Sequence, residues 1–358
     1  MTGGTARDEM VPRVLAVSRF ARGWPPAADL REALRTSGWS VLEVAKRDRP
    51  LGILAELFAA IVIGRTRYDV AYVDVFSGRA FMWALWSVLL LRLARKPYVL
   101  SLQGGGLAAF ARRRRRRIAW LLSGASSVTA PSKSQADGLR FAWPDIAVVP
   151  NMIDLGKYPF RLRSPAKASL LWLRAFHRIY DPVMAVRCIA LLKERHPTVS
   201  LLMVGAFKDE SIDECRREIA LHGIEDRVRI REACRKDEVP SLLSEADIFL
   251  NTTTLESFGV SVVEAQAAGL CVVTTDAGAA SEIVVDGENG LVVPAGDHAA
   301  MAEAVARIIE KPDLAARLSR GGRSSAERYD ARAVTTAWAD LLAAGVSSAT
   351  RRRLRGAG

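Results

Sequence analysis

The stretch Glu256-Ser257-Phe258-Gly259-Val260-Ser261-Val262-Val263-Glu264, continuing as Ala265-Gln266-Ala267-Ala268-Gly269, decides how this chain is read. Two acids stand eight positions apart with a glycine between them. The apolar run Cys271-Val272-Val273-Thr274-Thr275 follows. This order reads as a loop, a helix opening near Gly259, a glycine helix end and a strand. It points one carboxylate from the loop and one from the helix into the same crevice. The first amides of a helix lack internal partners and carry partial positive charge. A glycine there lets a ligand come close to the backbone. The crevice therefore offers an anion seat beside two carboxylates.

Outward from this stretch, apolar strand-like runs alternate with helical segments along the whole chain, the pattern of parallel sheets with crossover helices. The first half supplies strands at Arg13–Val17, Ser40–Val44, Val70–Val73, Tyr98–Leu102, Ser127–Ala130 and Ala147–Val149. The second supplies Ser169–Leu173, Ser200–Val204, Val228–Arg231, Asp247–Asn251, Cys271–Thr275 and Gly290–Val293. Each set of six makes one doubly wound sheet, and 358 residues suffice for two cores. The boundary falls in Pro150-Asn151-Met152-Ile153-Asp154-Leu155-Gly156-Lys157-Tyr158-Pro159-Phe160. The expected domains are 1–158 and 159–330, followed by 331–358 with a basic, frayed tail from Thr350.

The paired acids, with Ser-Phe-Gly, Glu-Ala and Ala-Gly around them, resemble the motif of retaining glycosyltransferases of family 4 (glycosyl transferases group 1). The linker also resembles that family's Pro-Asn-Gly-Ile/Val-Asp. The resemblance implies a GT-B fold, two Rossmann-like α/β domains facing a central cleft, with the helix of 331–358 crossing back to the first domain. It implies transfer from a UDP- or GDP-sugar to a glycan or lipid-linked acceptor with retention, without metal or other cofactor. No Asp-x-Asp sequence occurs. In this reading the second domain binds the donor, Glu264 holds its ribose, Glu256 reaches the transferred sugar, and the backbone at Phe258, Gly259 and Val260 faces the donor.

The family also places an Arg and, six residues later, a Lys on the diphosphate. Arg174 matches the first, but Tyr180 stands where the Lys is expected. Arg178 and Lys208 are the substitute cations in this reading. Gln103, beside Gly104-Gly105-Gly106, stands where many relatives have a His at the reacting centre. An amide donates and accepts but does not titrate, so a His general base is excluded there. Asp74 is a cleft candidate by its strand-end position, and Thr252–Thr254 are expected to face the cleft. The segment Thr275–Glu282 has Gly278-Ala279 where relatives carry two glycines. The glycine-rich loop that relatives place after the first strand is thin here, around Gly23.

Charge is lopsided. Residues 1–160 hold 24 Lys/Arg against 12 Asp/Glu, and the remainder hold 27 of each, so the first half carries the whole net charge of +12. Such asymmetry points to an anionic partner for that half. Arg112–Arg117 is a run of six arginines, suited to anionic lipid headgroups. The apolar run Phe81–Leu91 is too short to span a bilayer and reads as a buried helix or as interfacial contact. With no secretory pattern at the start, a cytoplasmic protein peripheral to the inner membrane face is expected. The four cysteines are widely spaced and read as reduced, mostly buried thiols. Three readings stay open beside the transferase: a catalytically silent GT-B scaffold, a nucleotide-sugar 2-epimerase, and nucleic-acid binding through the arginine run. The last is not expected, since no helix-turn-helix or aromatic platform supports it.

Overall fold

The computed structural model describes residues 11–18, 25–44 and 50–355, with the backbone alone at 25–27 and 348–355. Most of the thin loop around Gly23 therefore lies outside the described residues. Six strands, β1 Arg13–Val17, β2 Ser40–Glu43, β3 Val70–Val75, β4 Tyr98–Leu102, β5 Ser127–Ala130 and β6 Ile146–Val148, form one sheet in the order β2-β1-β3-β4-β5-β6. Six more, β7 Ser169–Leu173, β8 Ser200–Val204, β9 Val228–Arg231, β10 Ile248–Asn251, β11 Cys271–Thr275 and β12 Leu291–Val293, form the second in the order β12-β11-β10-β7-β8-β9. Every pairing is parallel. All six residues of β3 and all five of β4 and β11 are buried. Helices cover both faces of such strands, which is why they read as continuous apolar runs rather than alternating ones.

Each sheet reverses its winding once, between β1 and β3 in the first and between β7 and β10 in the second. Ligands of doubly wound sheets bind beyond the carboxyl ends of the strands at such a reversal. In the second sheet β7 ends at Leu173, directly before Arg174, and β10 ends at Asn251, five residues before Glu256. The topology alone thus delivers two of the expected site residues to one place.

Each sheet has an apolar core on both faces. One face of the first sheet is closed by residues from the far end of the chain. Val334, Trp338 and Leu342, on a helix spanning Ala331–Arg355, pack with Val14, Tyr72 and Val99. The Trp338 ring meets the Tyr72 ring edge-on at 5.2 Å. The backbone is helical as far as Arg355, where the sequence reading expected fraying from Thr350. The two chain segments that pass between the lobes lie side by side. Ile153 donates its N–H to the Tyr329 carbonyl at 2.9 Å, and Ala331 donates to the Ile153 carbonyl at 2.8 Å.

The apolar run Phe81–Leu91 belongs to a helix, Ala80–Leu93, between β3 and β4. It buries Phe81, Ala84, Val88 and Leu91 but leaves Met82, Trp86 and Leu93 exposed. Among the described residues no helix is long and apolar enough to cross a membrane.

Candidate functional site

The chain after β10 makes a loop and then a helix, Val260–Ala267. Gly259 is its N-cap residue with φ +106°, a conformation that side chains with a Cβ rarely adopt. No side chain caps this helix start. The loop is held from outside by Gly278, at φ +56°, where an added Cβ would come within 2.4 Å of the Glu256 carbonyl. Ala279 donates its N–H to that same carbonyl at 3.1 Å. The departure from two adjacent glycines therefore falls at a position that serves through its backbone.

These elements enclose a cavity of about 510 Å³. Arg174 and Gly205, at the ends of β7 and β8, form part of its wall with Glu256, Phe258, Gly259, Val260 and Glu264. The Arg174 guanidinium pairs with the Glu256 carboxylate, both largely buried. It also lies over the Tyr180 ring, 5.2 Å from the centroid. The tyrosine at the position expected to carry a second cation thus braces the first. Glu264 is 5 % exposed and accepts a hydrogen bond from the Tyr158 hydroxyl at 2.7 Å. Burial raises its carboxyl above the usual range, opposed by that hydrogen bond and by the field of Lys236. Phe258 is fixed by an edge-on contact with Tyr329 at 5.4 Å.

Three polar atoms on the cavity residues are buried without a protein partner: Arg174 Nε, Ser261 Oγ and Asn151 Nδ2. All three can donate. Buried donors are normally satisfied, and leaving one unpaired costs about 1–3 kcal/mol. Together with the uncapped helix start they make a pocket wall short of acceptors, the complement of an oxygen-rich anion. Two carboxylates face the same space and complement hydroxyl donors.

Other expected residues lie elsewhere. Arg178 is exposed in a short 3-10 turn, where its side chain pairs with Glu210 and Asp209. Lys208 is exposed and, like Arg178, is not part of the cavity wall. The second cation on the wall is Lys236, whose Nζ is 2.5 Å from Asp29 on the first lobe. Gln103 sits one layer behind the cavity, donating to Ser101 Oγ at 2.8 Å and to Asn151 Oδ1 at 3.3 Å. Thr252, Thr253 and Thr254 donate to the carbonyls of Tyr180 and Ile179 and hold that turn rather than facing the cavity. Asp74 is buried and accepts from the Tyr72 hydroxyl, away from the cavity. Burial pushes its carboxyl up to about 7.

Asn151, Tyr158 and Lys236 are the site residues the sequence reading missed. Asn151 and Tyr158 were visible inside the interdomain linker. Lys236 carries no motif and joins the site only through the fold. Cys234, also on the wall, is partly exposed, whereas Cys188, Cys215 and Cys271 are buried; all four are free. The lobes meet beside the site: Ser132 Oγ donates to the Ser257 carbonyl at 2.8 Å, and the Lys133 and Ser134 amides donate to Glu282, each at 2.7 Å.

Comparison with known proteins agrees with this architecture. Residues 164–325 match the family model described as glycosyl transferases group 1. Glycogen synthase of Mycobacterium tuberculosis is 28 % identical over 234 residues, 63 % of this chain and 56 % of that protein. D-inositol 3-phosphate glycosyltransferase of Streptomyces scabiei is 27 % identical over 234 residues, 60 % of this chain and 52 % of that one. The chain therefore spans about half the length of these curated relatives. Among solved structures, Anabaena HepE in complex with UDP and glucose superposes with a TM-score of 0.76 at 21 % identity, covering 93 % of this chain and 99 % of that one. Two parallel six-stranded sheets facing one another across a cleft give this chain the GT-B fold, and its second lobe is similar in sequence to glycosyl transferases group 1.

Proposed function

We propose that this protein is a glycosyltransferase that moves a sugar from a nucleoside-diphosphate sugar to a hydroxyl of a glycan or lipid-linked acceptor. The reading is carried by one observation, the placement on the wall of a single cavity of unpartnered donors on Arg174, Ser261 and Asn151 together with the carboxylates of Glu256 and Glu264. A diphosphate accepts from the donors, and a ribose diol donates to Glu264. The second lobe's similarity to glycosyl transferases group 1 favours this ligand class over an unrelated anion. UDP is the first nucleotide to test, since HepE, of the same fold, binds it.

In this reading the chain supplies positioning and charge rather than a nucleophile. Arg174 and the amides at the Gly259 helix start take up the negative charge that grows on the departing diphosphate. Glu256, already held by Arg174, orients the transferred sugar. Departing diphosphate and incoming hydroxyl share one face of the sugar ring, which retains the anomeric configuration, and a phosphate oxygen accepts the acceptor's proton. No step is assigned to a metal ion or other cofactor. Gln103 acts through Asn151, as a positioning residue.

The test has two parts. Incubation with UDP- and GDP-sugars should release the nucleoside diphosphate, and proton NMR of the product should show the donor's anomeric configuration. Separately, UDP or GDP should slow modification of Cys234 by a maleimide, because that thiol lies on the cavity wall. Unprotected Cys234 at saturating nucleotide would remove the donor from this cavity. Protection without turnover across a broad panel of donors and acceptors would favour a silent scaffold. Interconversion of a donor without acceptor would favour an epimerase.

A further inference from the structure

We infer that the outer helical layer of the first lobe is a docking surface for an anionic lipid membrane. Helices cover one face of the first sheet in a continuous layer. The segment Pro50–Ile63 packs beside the helix Ala80–Leu93, which in turn packs beside the helix Arg115–Leu122. Their inner faces share one core through Leu57, Ile61, Phe81, Val88, Ile118 and Leu122. Their outer faces are unusual. Leu51 is 82 % exposed, Ile63 71 % and Leu93 69 %, with Phe58, Met82, Trp86 and Trp120 each at least 40 % exposed. Single exposed apolar residues are ordinary, but a group this size on adjoining helices marks an interaction site.

The charge on the same layer selects the partner. Residues 50–122 hold 12 Lys/Arg and 3 Asp/Glu. Of those acids, Asp69 is paired with Arg13 and Asp74 is buried. Arg112–Arg117 are all exposed, and among the described residues none has a carboxylate partner. Arg114 and Arg115 instead lie over the rings of Phe110 and Phe141, each at 5.0 Å, and Arg92 lies over Trp120 at 4.3 Å. The ring of Phe110 meets that of Phe81, so the arginine run adjoins the apolar helix. Tryptophan and aliphatic side chains beside unpaired arginines fit the boundary between acyl chains and anionic headgroups. A nucleic acid would use the arginines and leave Leu51, Ile63 and Leu93 without a role.

The experiment is sedimentation of the full chain with vesicles of phosphatidylcholine alone and of phosphatidylcholine mixed with phosphatidylglycerol. Binding is expected to the mixed vesicles only. A basic residue near such a surface contributes about 1 kcal/mol, roughly five-fold in partitioning, so Arg113→Gln with Arg116→Gln should weaken binding about 25-fold. Trp86→Ser with Leu93→Ser should remove the part of the binding that survives high salt, and acyl-chain bromination should quench tryptophan emission in wild type more than in this variant. These positions are exposed, and unchanged UDP affinity in the variants reports an intact second lobe. Absence of binding to mixed vesicles at low salt would overturn the inference. So would tight binding to single-stranded DNA that is abolished by the arginine pair while vesicles are ignored. Neither outcome bears on donor binding, so this proposal and the proposed function fail separately.

Discussion

Replacing Glu264 by Gln should weaken nucleotide binding and leave the unliganded protein at least as stable. The two effects have opposite signs because the carboxylate is buried at a cost in the empty cavity. Burial raises its pKa above the unfolded value. A group with a raised folded pKa contributes stability that is present below its unfolded pKa and lost as pH rises through the folded one. That loss grows with pH in the wild type and is absent in Glu264→Gln. The amide keeps an oxygen to accept from the Tyr158 hydroxyl, now 2.7 Å from the carboxylate, and changes volume little. On the binding side, a hydrogen bond to a charged group contributes roughly 1.5–3 kcal/mol. Loss of the charge opposite a ribose diol therefore predicts about a 10- to 150-fold rise in Kd for UDP or GDP. Isothermal titration at pH 8 measures the affinity, and urea unfolding of the unliganded protein measures the stability. Wild-type affinity in the variant would refute the ribose assignment. A marked fall in the urea midpoint would refute the argument that the buried charge is a net cost.

Glu256→Gln should lower kcat by on the order of 100-fold while the Kd for nucleotide stays within a few-fold of wild type, because the loss falls on the transferred sugar; steady-state kinetics with nucleotide titration separates the two. Asp74, raised to about 7 by burial, should cost on the order of 4 kcal/mol as pH rises from about 4 to 7. Asp74→Asn should flatten that fall, which urea midpoints at pH 5 and pH 8 would register. Trp338→Ala should destabilise by roughly 3–5 kcal/mol, the usual cost of emptying a buried tryptophan site, and the loss should appear in the first lobe by hydrogen exchange.

The sheets were legible because each strand is a short apolar run bounded by turn residues, and a parallel sheet buries both faces. Val70–Val73 proved two residues longer, extending through Asp74 to Val75. A buried acid breaks an apolar run in sequence but not in space, where Tyr72 satisfies it. Half of the site was legible for the same local reason: Glu256, Gly259 and Glu264 belong to one loop and one helix. The rest depends on contacts that sequence spacing does not encode. Tyr158 and Glu264 are 106 positions apart, and Asp29 and Lys236 are 207 apart. Arg178 looked available because it follows a strand, yet two acids from the β8 loop draw it outward.

The helix that carries Trp338 has a bearing on how the protein is made. Because it covers one face of the first sheet, the second lobe is in effect an insertion within the first. A ribosome releases the first half early, but that half waits for this covering element until the helix Ala331–Arg355 has emerged. The later-synthesised lobe is then the first to complete its core. During that interval the uncovered sheet face offers apolar surface to other nascent chains, and a rearranged chain that carries the helix Ala331–Arg355 ahead of Arg13 should shorten the exposure.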